Sequence, residues 1–491
     1  MASDCAFDGS AIPEGFCVRE FRSDLDRPRS IFVTESNDIL VLERGKSRII
    51  ALHDDDGDLY AEGLSVIAQT PDLSHGLTVF ENHVYASSPS TVFRWNYTHG
   101  QRFESTNAEV VIQNMNSLGC ADCGAPDGHS TRTLIFDHLG RLYVSVGSQL
   151  NVDPDSYRSR IRRFNISNIT DGGIDFSTGE VFADGLRNEV GLAFDKHNVL
   201  WGVENGADNL ERDDIGGDIH NENPAEELNR FPESVAGQHF GYPYCWSEFL
   251  LPDEFSRGKG SRWAWPTFMD TIDDEWCRNN TLRSAMAMQA HSAPLGITFY
   301  EHAEVEECTG GFPTSMNDDA IIAFHGSWNR DIPTGYKVVR VPFDADGLPD
   351  SDQPINLFCY GGDSARWPSG IRPVDVKFTT CKQLLISSDG TRDSNGDFYG
   401  GNLMIMTYHG PDNISSADIQ VVCENTQLVA EEGCGDFYVC HTGWAIALIV
   451  TGAVTLFALI GTYLFKREKN VVTRGDDNKI SEQKGSSVVV S

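Results

Sequence analysis

The chain has 491 residues, with 72 acidic against 38 basic side chains, a formal charge of −34 and a pI near 4.6. That balance excludes nucleic-acid binding, which needs a concentrated basic surface, and it means that any anionic ligand must be held by a local arginine cluster against the field of the whole molecule. The length allows two or three ordinary domains or one large repetitive all-β domain.

From residue 27 onward one pattern recurs: an apolar strand, a polar turn, then a second apolar strand. It occurs as SIFVTESNDILVLE (30–43), GLTVFENHVYASS (76–88), TLIFDHLGRLYVSVG (133–147), GLAFDKHNVLWGVE (191–204), GITFYEHAE with a delayed partner AIIAFHGSW (296–304, 320–328), and DVKFTTCKQLLISSD (375–389). Further β-rich runs follow most of them, for instance SRIIAL, RIRRFNI and YKVVRVPF. Four short strands per unit, repeated six times, predict an all-β six-bladed β-propeller over 27–410, with 1–26 as an N-terminal extension. The residues closing each first strand, Val33, Phe80, Phe136, Phe194, Phe299 and Phe378, are 47, 56, 58, 105 and 79 positions apart. The gap of 105 predicts a long insertion in the fourth blade, about 210–290, rich in carboxylates (Asp213, Asp214, Asp218, Glu222, Glu226, Glu227) and in aromatics. Half of those carboxylates read as a solvated face; a structural calcium is the alternative for the rest.

The stretch ADGLRNEVGLAFDKHNVLWGVENGADN (183–209) reads as a strand pair. A hairpin brings the chain back to the end where it began, so Arg187, Asn188 and the oxygen-rich loop 205–209 are expected on one rim. An arginine beside oxygen ligands suits an anionic cofactor bridged to a hard cation such as calcium.

All twelve cysteines precede one apolar segment, which permits six disulfides; Cys120 and Cys123 read as a small disulfide loop rather than a zinc or redox motif. That segment, 443–465, has 23 residues without a charge and predicts a single transmembrane helix. Lys466, Arg467 and Lys469 follow it, so 466–491 is expected as a cytoplasmic tail, 411–442 as a cysteine-containing membrane-proximal segment, and the propeller as extracellular or lumenal. Sequons at Asn96, Asn165, Asn168, Asn279 and Asn413 permit glycosylation there. The first residues carry no visible signal peptide; an incomplete start fits the cysteines and sequons better than late insertion of the apolar segment as its own signal.

GHSTRTLIFDHLGRLYVSVGSQLN, GLRNEVGLAF, ENGADNLERDD, NPAEELNRF, HFGYPYCW, HSAPLGITFY, AFHGSWNRDIPTGYKVVRVPFD and RPVDVKF together resemble the glucose/sorbosone dehydrogenase family, nearest its sorbosone and fungal pyranose dehydrogenase branch. The resemblance runs from about Arg27 to His409 and implies oxidation of an aldose, ketoaldose or pyranose by hydride transfer to pyrroloquinoline quinone (PQQ). It implies His129 as the general base, Arg187 as the group polarising the quinone, and Arg132, Asn188, Asn205, Arg330 and Arg372 as cofactor contacts, with Arg330 fitting better than Asn329. Calcium would lie on the backbone carbonyls of Gly206 and Ala207. Arg158, His291 and Trp328 are expected on the same rim. Ser148 stands where the glucose branch has an acidic residue, which argues against glucose itself. Neither the sugar nor the electron acceptor follows from the sequence. A membrane-anchored, non-catalytic propeller resembling the hedgehog-interacting protein is the alternative; it has no need of His129, Arg187, Asn188 and Arg372 on one rim.

Overall fold

The computed structural model describes residues 5–423 apart from 6, 8, 117–127, 168, 170–171, 304–307 and 412. Six sheets, antiparallel except where Ile174–Asp175 adds parallel to the edge of the second, stand in a ring, and the strand nearest the axis in each is, in order, Pro28–Val33, Leu77–Phe80, Leu134–Phe136, Glu189–Phe194, Pro294–Phe299 and Pro373–Phe378. Each of these strands meets the next, and the sixth meets the first, so the ring is closed. The six closing residues read from the sequence are the last residues of these six strands.

Both faces of a blade are covered by neighbouring blades, which explains why the second strands read as unbroken apolar runs. In the fifth blade Ala320, Ile322 and Phe324 pack toward the fourth, while Ile321 and Ala323 pack toward the sixth. In the sixth, Leu384 and Ile386 face the fifth blade and Leu385 faces the first. Period-two alternation therefore fills six separate cores, one per gap between blades. The turns have their own chemistry: Asp137 accepts from the backbone N–H of Leu139 and Arg141, and Asp195 does the same for His197 and Val199. Asp195 also takes the Trp201 indole N–H at 2.9 Å, tying the turn to the buried strand behind it.

Two assignments change. Residues 1–26 are not merely an extension: Phe16–Arg22 pairs with Phe398–Tyr408 and completes the sixth sheet, while Ser10–Ala11 adds to the fifth. The stretch 210–290 is not one insertion, because Glu226–Phe231 and Met286–Met288 inside it are the third and fourth strands of the fourth blade. The excursions before and between those strands carry two small hairpins and the helix Asp274–Asn280. Of the carboxylates in 210–290, Asp214 pairs with Arg212, Glu227 with Arg262 and Glu222 with Arg330.

Disulfides join Cys5–Cys17, Cys245–Cys277, Cys308–Cys381 and Cys359–Cys423. Cys120, Cys123, Cys434 and Cys440 lie outside the described residues. The Cys245–Cys277 bridge spans 32 positions of the larger excursion. A Cys245→Ser/Cys277→Ser double variant is expected to lose about 3 to 4 kcal/mol of stability, read as a lowered denaturant midpoint.

The transmembrane helix expected over 443–465 and the tail 466–491 lie outside the described residues. Among the described residues no helix is long and apolar enough to cross a membrane, and the α-helix Asp274–Asn280 has seven residues. The single-pass placement, with its extracellular or lumenal propeller, is accordingly withdrawn.

Candidate functional site

The loops entering the six inner strands and those leaving the second strands share one end of the ring, as antiparallel pairing requires. His129 and Arg132 precede Leu134–Phe136, and Arg187 and Asn188 precede Glu189–Phe194. Asn205, Gly206 and Ala207 follow Leu200–Glu204, Arg330 follows Ala320–Phe324, and Arg372 precedes Pro373–Phe378. All nine expected residues thus come to one rim.

The third and fourth blades join most of them into one network. The backbone N–H of His129 donates to the Ser148 carbonyl at 3.1 Å, and its Nδ1 lies 3.0 Å from that oxygen and 3.1 Å from Ser148 Oγ. A carbonyl only accepts, so the ring proton sits on Nδ1 and the Nε2 lone pair is left as the acceptor. Desolvation first, then the charge of Arg187, pushes the His129 imidazole down to about 3, so it stands neutral. Gly128 makes this approach possible: its φ is +96°, and a Cβ there would lie 1.9 Å from the Gln149 carbonyl oxygen.

Arg187 is the hub of the fourth-blade side. Its Nη1 donates to the Gly206 carbonyl at 2.6 Å, and its Nη2 to Asp208 Oδ2 at 2.8 Å and Asn151 Oδ1 at 2.9 Å. Burial disfavours the charge on Asp208, but His291, whose Nδ1 lies 3.6 Å from Oδ1, and the field of Arg187 hold its carboxyl below the usual carboxylate range. The loop is anchored from beneath: Glu226 accepts from the backbone N–H of Gly206 at 2.7 Å and of Ala293 at 3.1 Å, and burial raises its carboxyl to about 7. Gly206 cannot be replaced freely, since a Cβ would lie 2.8 Å from the Ala225 carbonyl oxygen. Asn188 Nδ2 lies 3.4 Å from Asn205 Oδ1, and Asn205 Nδ2 donates to the Pro294 carbonyl at 2.7 Å.

The other arginines divide by what they touch. Arg132 is fully buried and spends its donors on the Pro89, His129 and Thr131 carbonyls and on Asn116, so it supports the His129 turn from inside rather than facing a ligand. Arg158 also reaches the His129 carbonyl, at 2.7 Å. Arg330 is paired with Glu222 and donates to the Asn221 carbonyl at 2.7 Å, which ties it to the first excursion of the fourth blade. Arg372 donates to the carbonyls of His325 and Gly326 at 3.1 and 2.9 Å and has no ion pair among the described residues. Neither Arg330 nor Arg372 is hydrogen-bonded to the His129–Arg187 network. Trp328 is 72% exposed on the same loop as Arg330. A channel of about 320 Å³ runs along the axis, lined by all six inner strands, with His75, Thr133 and Asp375 among its polar residues.

Sequence reading placed Ser148 where the glucose branch has an acidic residue but read it only as a departure, and it missed Asp208, Asn151 and Glu226 as the supports of Arg187 and its loop. Asp208 and Glu226 lie in stretches dense in polar and charged residues, ENGADNLE and NENPAEELNR, where nothing local marks one carboxylate as a support; the Ser148 contact runs partly through a backbone carbonyl, which no residue type signals.

An all-β six-bladed propeller with histidine, arginines and carbonyl oxygens gathered on one rim is the class defined so far. The chain belongs to the TrAA12-like family, whose model matches residues 10–399. It is 30% identical over 422 residues to a pyrroloquinoline quinone-dependent sugar dehydrogenase of Hypocrea jecorina, covering 78% of this chain and 90% of that protein. It is likewise 30% identical over 354 residues to a pyrroloquinoline quinone-dependent pyranose dehydrogenase of Coprinopsis cinerea, covering 67% of this chain. The match spans only 44%, less than half, of that second relative's length. Among solved structures, the calcium structure of a Trichoderma reesei family AA12 carbohydrate-active enzyme aligns with TM-score 0.70 at 26% identity, covering 83% of this chain and 99% of that one. The holo form of the PQQ domain of Coprinopsis cinerea pyranose dehydrogenase aligns with TM-score 0.67 at 25% identity, covering 82% and 98%.

Proposed function

We propose that this chain oxidises an aldose, ketoaldose or pyranose, using PQQ and calcium. The observation that carries the reading is the joined pair at the rim: a neutral His129 with its proton pinned on Nδ1, linked through Ser148 to the Arg187 turn, whose carbonyl accepts the Ser148 N–H at 2.8 Å. The names of the relatives supply the cofactor class.

An anionic cofactor suits the residues present. In a chain of net charge −34 the rim concentrates arginines, and Arg372 in particular forms no ion pair among the described residues, its Nε and Nη2 donating to carbonyls. Arg187 and Arg372 would hold the cofactor, with Asn188 and Asn205 as neutral contacts. Held there, PQQ would supply the hydride-accepting chemistry that the side chains themselves lack. His129 Nε2 takes the proton of the sugar's hydroxyl, so the sugar loses one hydride and one proton and becomes the carbonyl product. The Arg187 guanidinium places positive charge where oxyanion character develops. An anionic ligand beside Arg187 would offset the share of the His129 depression that comes from that guanidinium, the second cause after desolvation. For calcium the donor set is the hard-oxygen type it prefers, the carbonyls of Gly206 and Ala207. Arg187 already donates to the Gly206 oxygen, so a cation held there would have to share that oxygen with the guanidinium.

With PQQ and calcium supplied, the chain is expected to reduce an electron-accepting dye in the presence of at least one sugar from a panel of aldoses, ketoaldoses and pyranoses. Chelating the calcium should abolish PQQ binding by calorimetry, and adding it back should restore it. Cofactor bound with no sugar active across the panel, or binding indifferent to chelation, counts against the corresponding half of the proposal.

A further inference from the structure

On the side of the rim away from His129, a second chain of side chains crosses four blades. Asp389, in the strand Leu384–Arg392 of the sixth blade, accepts from His325 Nε2 at 2.8 Å through Oδ1 and from Arg29 Nη1 at 2.5 Å through Oδ2. Arg29 begins the first blade, and its Nε donates to Nδ1 of His75, which leads into the second, at 3.2 Å. Arg29 and His75 are buried, and His325 and Asp389 are nearly so. The ionised Asp389 only accepts, which puts the His325 ring proton on Nε2 and fixes the ring.

This chain ends on Arg372. The His325 carbonyl accepts Arg372 Nε and the next carbonyl, Gly326, accepts Nη2, so the turn carrying the imidazole also carries the guanidinium. The strand that holds Asp389 reaches Arg372 a second time, because the Arg372 backbone N–H donates to Ser388 Oγ at 2.9 Å. The guanidinium also lies over the Tyr336 ring, 5.6 Å from its centroid. An arginine loses much rotamer freedom when it binds a ligand, and a side chain already held in place loses less.

We propose that Asp389 is a positioning residue for Arg372, acting through His325, so that one carboxylate prepares the guanidinium for the carboxylates of an anionic cofactor. This rests on the reading of Arg372 as a cofactor-holding arginine. Arg29 is the counter-charge that keeps Asp389 in place, and His75 closes the far end.

Two physical roles for Asp389 predict opposite signs. If it acted only through its charge, removing that charge would leave Arg29 and Arg372 less neutralised and would tighten binding of an anion. If it positions Arg372, removing the charge loosens the turn and weakens binding in spite of the added positive field. PQQ titrations in calcium, followed by calorimetry on the whole chain, separate them. Wild-type protein is expected to bind. Asp389→Asn is expected to weaken PQQ about tenfold, the scale on which supporting partners act. His325→Ala, which keeps the Arg29–Asp389 ion pair and so guards against loss of fold, should weaken it similarly. His325→Gln, which retains an amide donor toward Asp389, should recover most of the affinity. The double variant should be no weaker than either single variant, because both lie on one path. Binding unchanged or tightened in Asp389→Asn and His325→Ala, with thermal midpoints near wild type, overturns the positioning role. A wild-type chain that fails to bind PQQ overturns instead the cofactor reading beneath it.

Discussion

His129→Ala is expected to remove sugar-dependent turnover, by about a hundred- to ten-thousandfold, while PQQ affinity stays within a few-fold of wild type. Among the described residues the side chain is hydrogen-bonded through Nδ1 to Ser148, so what alanine deletes beyond that contact is the Nε2 acceptor. The backbone bond from His129 N to the Ser148 carbonyl survives the change, as do the Arg132 and Arg158 donors to the His129 carbonyl. The turn should therefore keep its shape. Steady-state dye reduction beside a PQQ titration checks both halves, and undiminished turnover would rule His129 out as the base.

Arg187→Ala is expected to cost more, because it fails in two ways. Loss of a preorganised charge at developing oxyanion character costs about a hundred- to a thousandfold in turnover. The change also leaves Asp208 enclosed without its guanidinium, and breaking such a buried pair costs about 3–5 kcal/mol of stability. Arg187→Lys should rescue neither in full. One ammonium cannot reach the Gly206 carbonyl, Asp208 and Asn151 together in the flat fork that Arg187 uses. Thermal unfolding and turnover should fall together in the alanine variant; a stable, active Arg187→Ala would remove the hub from the account.

How much of this was legible in the sequence depended on whether the cause was local. The inner strands were, down to their last residues from Val33 to Phe378, because burial on two faces writes an apolar run beside a polar turn. The pairing of Phe16–Arg22 with Phe398–Tyr408 was not, since nothing near residue 16 signals a partner nearly 400 positions away. The outer strands of the fourth blade were hidden for the same reason, being separated by the long excursion stapled by Cys245–Cys277. At the site, residue type was legible and direction was not. Arg132 and Arg372 both precede an inner strand, yet one is buried against carbonyls around its own turn and the other stands without a counter-ion. Arg330 has the right charge on the right loop but is drawn to Glu222. The acidic run of the fourth blade suggested a cation, whereas Asp214, Glu222 and Glu227 each met an arginine distant or local in sequence.

The central claim is that bound PQQ takes electrons from a sugar on this rim. The most direct measurement is the absorption spectrum of the PQQ- and calcium-loaded chain, kept free of oxygen and electron acceptor, before and after a sugar from the active panel is added. The account predicts that the oxidised quinone spectrum converts to the reduced one in proportion to enzyme, and that His129→Ala loaded to the same level converts far more slowly. A cofactor that binds and stays oxidised with every sugar, in wild type and variant alike, would contradict it.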